Sequence, residues 1–564
     1  MNSAPDREED LLPIHIAVSN RDTTELKALL SQSHDSINTR DPWNYTPLQI
    51  AVEANDLPAV HLLISSGADS DLEVPNHYSD LVEGTNSLSS AAQSGHLEVL
   101  RFLVENSGRL TTKSLYMAAE AGRLDCVAFI LSYVDKAEKT VFGDGVSKNE
   151  AVGEALRMAA AGWRDEIVEV ILHNREIETR LMGTALLWLI HDEEEFDDYH
   201  VINPVPRKTP EGKKKRIKIA KLLLDAGADV NARGEMHGIE GMTPLHKTSR
   251  MGSRIREIFD MLLEKKPNVN AEDEDEQTPL FQAILADDVY FAEMLIDNGA
   301  RVEQIDKQGH TVLHISTDNL TPACKHIVKC LLDHGADISA VTKQGESPLH
   351  LAAYQGNAAA MEVLLSHSDS KLLGVRSATG FTALHSAAHG PAQINIDVVA
   401  LLLAQGMDIN ECTDSGLTLL HLAATSFSPD KIDFVELLLE KGADVNGWTI
   451  PVVLGDSTPQ AHERSLPTKQ ANGVIDTPLH LALDREPVDF GLVSVLLDGG
   501  ANIEARDSIG RTALLRCVVG YEVALPRQEV ALELIKRGAN IEAVDDLGRK
   551  IDVDAWSVMP GWGQ

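Results

Sequence analysis

A short Thr/Ser-x-Leu signature returns at Thr46, Thr243, Thr278, Thr311, Ser347, Thr382, Thr418, Thr477 and Thr512, and from Thr243 to Thr418 the steps are 35, 33, 36, 35 and 36 residues. This period constrains the fold more than any other feature. A unit this short cannot bury its apolar face alone, so units must stack on their neighbours. Stacking also removes the size limit of a single core, and 564 residues need not divide into several globular domains.

Within one period the residues account for themselves. In Ser347-Pro-Leu-His-Leu-Ala-Ala353 the Ser caps a helix, the Pro occupies its first position, and the small alanines let the next helix approach. About fifteen residues later an apolar-periodic run closes on Gly, as in Phe434 to Gly442 or Ala220 to Gly227; the glycine supplies the left-handed C-cap of a second helix. Ala-Asp-Val-Asn (228–231, 443–446) or Ala-Asn-Ile-Glu (501–504, 539–542) follows, then a tight turn such as Asp507 to Gly510.

These motifs resemble those of the ankyrin-repeat family: a β-turn finger, Thr-Pro-Leu-His-x-Ala-Ala, and a second helix ending in Gly-Ala-Asp-Val-Asn. The resemblance implies an all-α solenoid of about fourteen repeats. It is strong in 239–446 and 475–545 and recognisable in 41–71. In 84–180 it is weak: Ala91-Ala92, Ala118-Ala119 and Ala159-Ala160 persist but Thr-Pro-Leu-His is lost. The chain is therefore expected to comprise an acidic leader (1–10), partly degenerate repeats (11–190), a charged insertion (191–212), central repeats (213–446), a Pro/Ser/Thr-containing loop (447–474), C-terminal repeats (475–545) and a capping segment (546–564).

Composition narrows the function. Fifty Lys and Arg against 86 Asp and Glu give a formal net charge of −36, which disfavours phosphate backbones and anionic lipid and favours a partner with a basic segment. Five scattered cysteines without a Cys-x-x-Cys pair read as reduced thiols, and neither a signal-like N-terminus nor an uninterrupted spanning segment is present; a monomeric cytoplasmic or nuclear protein is expected.

Chemistry finds no room. The segments outside the repeat, about 72–83, 136–150, 191–212 and 447–475, are each too short for an independent domain, and no phosphate loop, nucleophile elbow or His-Glu-x-x-His is present. His246, His314, His350, His385, His421 and His480 recur at one repeat position; the resemblance implies that this His bonds between repeats rather than to a metal. No catalytic residue, cofactor or metal is expected, and an enzyme is the remote alternative.

Two insertions carry further expectations. An acidic run, 191–200, is followed by Lys213, Lys214, Lys215 and Arg216, which read either as a nuclear-import signal on an exposed, extended segment or as the solvated first turns of a second helix. The 447–474 insertion lacks helical periodicity and reads as a flexible loop, with docking or phosphorylation as the sharper alternative.

The ankyrin resemblance implies that partners lie across a concave face made of finger tips and first-helix ends. Carried over by motif position, the contact residues are Trp43, Tyr45, Lys307, Gln308, His310, Lys343, Gln344, Glu346, Tyr354, Gln355, Phe381, Asp414, Ser415 and Arg511. Exposed aromatic side chains are favoured anchors, which puts Trp43, Tyr45, Tyr354 and Phe381 first. The expected function is a non-catalytic adaptor or scaffold for one or more proteins that carry a basic or extended segment. The alternative is a nuclear co-regulator that binds a transcription factor without touching DNA.

Overall fold

A computed structural model describes residues 12–32, 36–73, 85–107, 110–136, 142–173, 177–190, 209–236, 239–367, 370–390, 395–426, 428–447, 476–484, 487–518 and 525–551. The described residues form two compact bodies, 1–282 and 283–564. The leader, the whole acidic run with the rest of 191–208, and the 448–475 part of the loop fall outside the described residues, as does 552–564.

The first body is a succession of helix pairs. Its first helices are Pro13–Ser19, Pro47–Glu53, Ser87–Ser94, Thr112–Glu120, Lys148–Ala161, Thr179–Leu189 and Pro244–Met251; each packs on the next, and the partner helices Thr23–Gln32 through Arg256–Glu264 do the same. The finger before Pro244 is a two-stranded antiparallel ribbon, Gly234–Met236 with Ile239–Met242. Four pairs lie between Ser87 and Asp225, where the motifs are weakest. The alanines explain why: Ala91, Ala92, Ala118, Ala119, Ala159 and Ala160 are fully buried, keeping the close approach of first helices after the rest of the motif has gone.

The second body repeats the plan with first helices Val312–Asp318, Pro348–Gln355, Ala383–Ala388, Leu419–Thr425, Pro478–Leu483 and Ala513–Val518, and second helices from Val289–Asp297 to Leu525–Lys536. Thr or Ser caps the first helices, and the residue three places on closes a capping box at Thr311, Ser347, Thr382, Thr418 and Thr477; each cap is worth about 1 kcal/mol. The core is the seam between the two helix rows, where Phe291 and Phe434 are fully buried.

Several expected boundaries shift. The 136–150 segment is not free of the repeat: a capping box of Ser147 and Glu150 starts Lys148–Ala161 inside it. Thr209 caps Pro210–Asp225, so the charged insertion gives way to helix before residue 213. At the C-terminal end the finger Asp545 to Arg549 is complete, with Val544 bridged to Lys550.

Candidate protein-interaction surface

Each finger is built on one backbone device. In the second body the amides of Asp306, Thr342, Ser377, Thr413 and Asp507 donate to the carbonyl four residues on at 2.8–2.9 Å. Their side-chain oxygens accept from amides at the tip, as Asp306 Oδ1 does from Gln308 at 2.9 Å and His310 at 2.8 Å. The fourth residue adopts positive φ, +85° at Gly309 and +74° at Gly345. Glycine is required twice over there, because a Cβ on Gly309 or Gly345 would stand 3.0 or 3.1 Å from the next finger's backbone. Successive fingers are joined by main-chain bonds, Lys343 N to Gln308 O at 3.2 Å and Ala378 N to Gln344 O at 2.7 Å.

The repeated histidines tie this ladder to the helices. Nδ1 of His246, His314, His350, His385, His421 and His480 accepts from the capping Thr or Ser amide at 3.1–3.3 Å, so the ring proton sits on Nε2. For five of them Nε2–H donates to a carbonyl of the following finger at 3.0–3.1 Å: Gln277, Glu346, Phe381, Glu411 and Asp476. Burial pushes the pKa of His246, His314, His385 and His421 down to about 4, so they stay neutral. Reading the motif alone missed two equivalents: His15 reaches Thr39 O at 3.2 Å, and Gln49 accepts from Thr46 N at 2.8 Å and donates to Leu72 O at 2.6 Å. Their spacing from the helix start was the available signal.

On this frame the expected contact residues divide by exposure. Lys307, Gln308, Lys343, Gln344 and Asp414 are exposed, and adjacent fingers bring Lys307 and Gln308 beside Lys343 and Gln344. His310, Glu346, Gln355, Ser415 and Arg511 are half-buried. His310 stands 3.3 Å from Asp306, Arg511 donates to Asp507 at 2.8 Å, Gln355 to Asp318 at 3.3 Å, and Ser415 pairs with Thr413 at 2.9 Å. Among the aromatic residues, Trp43 is 43% exposed and Tyr354 36%. Tyr45 and Phe381 are half-buried; the Phe381 ring centroid lies 5.8 Å from His385 and 5.7 Å from His389, inside the repeat packing. Tyr354 sits at the far end of its helix from the fingers.

The basic cluster is helical. Lys213 and Lys214 are exposed on Pro210–Asp225, but Lys215 pairs with Asp165 at 3.4 Å. Arg216 is buried, its Nε donating to Leu189 O at 3.1 Å and its guanidinium lying 5.2 Å from the Trp163 ring centroid. Of the two readings of this segment, the second-helix one describes its conformation, and the extended presentation an import receptor reads is absent here. The cause is its period: Arg216, Ile219, Ala220 and Leu223 fall on one helix face and are all buried.

The structure adds a cleft of about 360 Å³ in the first body that the motifs did not signal, lined among others by Tyr116, Val146, Glu150, Glu154, Arg157 and Leu181. It opens on the first helices of three degenerate repeats, where signature residues are missing.

Sequence comparison bears on the same frame. A family profile described as ankyrin repeats in three copies matches residues 2–74, 212–306, 291–373 and 370–447, and a single ankyrin repeat matches 476–508. The chain belongs to the ankyrin-repeat family. A similar curated relative is the ankyrin repeat and KH domain-containing protein mask-1 of Caenorhabditis elegans, 32% identical over 109 residues, which is 18% of this chain and 4% of that protein. Ankyrin repeats are protein-interaction modules and are generally non-catalytic. Among the described residues no helix is long and apolar enough to cross a membrane. The ankyrin profiles leave 75–211 unmatched, yet the helix pairs run on through the described part of it.

Proposed function

We propose that the chain is an adaptor whose ankyrin fingers hold a partner protein that presents a basic, extended segment. The observation that carries this is the contrast within each finger of the second body. The frame is constant, whereas the tips it displays, Lys307-Gln308, Lys343-Gln344, Ala378-Thr379, Asp414-Ser415 and Ser508-Ile509, differ in charge and size. A fixed frame with variable, exposed tips supports recognition rather than catalysis. The surplus of 36 negative charges favours a cationic partner. A nuclear co-regulator role leaned on Lys213 to Arg216 as an extended import signal. With Arg216 buried in a helix that support is withdrawn, and the adaptor reading is preferred.

The test is affinity capture with the full chain from its native cells, comparing wild type with a tip variant, Gln308→Arg, Gln344→Arg and Asp414→Lys together, which sets cations against a basic segment. Partners retained by the wild type and lost by the equally stable variant support the reading. An identical partner set for both proteins would remove the fingers from recognition.

A further inference from the structure

Beyond the fingers, the second body has an edge where each first helix turns into its second. Three consecutive turns there expose a large apolar side chain: Leu285 is 44% exposed, Leu320 67% and Tyr354 36%. They form one continuous edge because the turns are bonded in series. Asn319 Nδ2 donates to Ile284 O at 2.9 Å, the Thr321 hydroxyl donates to Asp287, and Gln355 Nε2 donates to Asp318 at 3.3 Å. Asn357 Nδ2 closes the series on the carbonyls of Thr317 and Asn319 at 3.0 and 2.8 Å. Leu320 is the most exposed because its turn, between helices Val312–Asp318 and Cys324–Asp333, is longer than the one between Pro279–Leu285 and Val289–Asp297.

The charge of this edge is one-sided. Residues 283–288, 315–323 and 351–357 contain Asp287, Asp288 and Asp318 and no Lys, Arg or His. The first body treats the same position differently: Arg21, Arg123 and Arg164 donate to Ala54 O, Gln93 O and Glu120 O, carbonyls at the ends of first helices in adjoining repeats. In the second body Asn319, Asn357 and Asn395 make those bonds, Asn395 to Gly356 O at 3.1 Å. The exchange of Arg for Asn keeps the bond to the neighbouring helix end but places no cation at that position, and the basic group that faces Asp318 is His310, from the adjoining finger.

We propose that Leu285, Leu320 and Tyr354, with Asp287, Asp288 and Asp318, form a second docking surface, for an extended partner segment in which Lys or Arg alternates with apolar residues. Apolar side chains of the segment cover Leu320 and Tyr354 while its cations meet the aspartates, and the hydrogen-bonded turns present these groups with little left to order on binding. The proposal rests on the interaction-module reading but not on the finger surface.

The test is selection of random peptides displayed on phage against the immobilised full chain, followed by fluorescence anisotropy with the selected peptides made synthetically. Three variants are compared with wild type: Leu320→Ser with Tyr354→Ser, Asp288→Asn with Asp318→Asn, and Gln308→Arg with Gln344→Arg. The substituted side chains are exposed or have Asn as an equal replacement at a cap, so melting temperatures should match. The expected result is peptides rich in Lys or Arg and apolar residues, with affinity lowered about tenfold or more by either edge variant, retained by the finger variant and weakened by salt. Peptides that bind the edge variants as tightly as wild type overturn the proposal. If they fail only on the finger variant, the edge falls and the adaptor reading stands; if the wild type selects none, both fall.

Discussion

His421 Nε2 lies 3.1 Å from the carbonyl oxygen of Asp476, across a sequence separation of 55 residues, whereas the same bond from His314 to Glu346 spans 32. Asn446 makes the parallel connection, accepting from Asn502 N at 2.7 Å. The repeats on either side of 448–475 are thus stacked directly on one another. Replacing 448–475 by a finger of ordinary length should leave stability unchanged or raise it by about 0.5 kcal/mol, the loop-closure difference. Urea unfolding of the full chain measures this; a loss of several kcal/mol would mean that the insertion packs on the repeats.

The buried histidines make acid destabilising. Their folded pKa is depressed, so the unfolded chain takes up protons first as pH falls; the stability is fully present above about 6.5 and lost from there toward about 4. Each such His should contribute a slope of about 1.4 kcal/mol per pH unit in that window. Gln49 shows that Gln can make the same two bonds without titrating. His385→Gln should therefore cost little at pH 7.5 and flatten the pH dependence of urea unfolding, whereas His385→Ala should cost about 2 kcal/mol or more at every pH above the window.

Arg516 holds three carboxylates in a buried site. It pairs with Asp476 and Asp484 and lies 3.3 Å from Asp507, with its own side chain 6% exposed. Removing the cation leaves the aspartates uncompensated, and Arg516→Met should destabilise by about 3–5 kcal/mol. Adding Asp476→Asn to that variant should recover part of the loss. Thermal unfolding of the single and double variants checks the order.

Within the basic cluster the four residues should separate. Arg216→Ala removes a buried cation with a main-chain acceptor and an aromatic neighbour and should cost about 2 kcal/mol or more, while Lys213→Ala and Lys214→Ala should stay within about 0.5 kcal/mol. Thermal unfolding of the three single variants decides; equal effects would mean the helix face is wrongly assigned.

The repeat, its two helices, the fingers and the family were legible because each is written in residues that have few substitutes: a capping Thr, a glycine at positive φ, buried alanines. Where the same task can be done by other chemistry, the motif faded before the fold did. Asn86 caps Ser87–Ser94 by accepting from Ser89 N at 2.9 Å, and Ser89 meets Ser114 at 3.2 Å at the positions His holds elsewhere. The helical state of Lys213 to Arg216 was one of two readings, because a run of cations fits a solvated helix face as well as an extended signal. Of the apolar turn edge only Tyr354 was foreseen, as a first-helix end; Leu285 and Leu320 belong to no shared motif and join it only when the repeats stack.

The neutral histidine bonds lie inside the stack, and much of the excess of 36 negative charges is carried by exposed side chains. Two solution variables therefore act on separate layers of the molecule: ionic strength tunes capture of a cationic partner at the surface, while mild acidity loosens the joints between repeats beneath it. A change in salt that releases a partner would leave the stack intact, and a fall in pH would soften the stack while the surface still carries its charge.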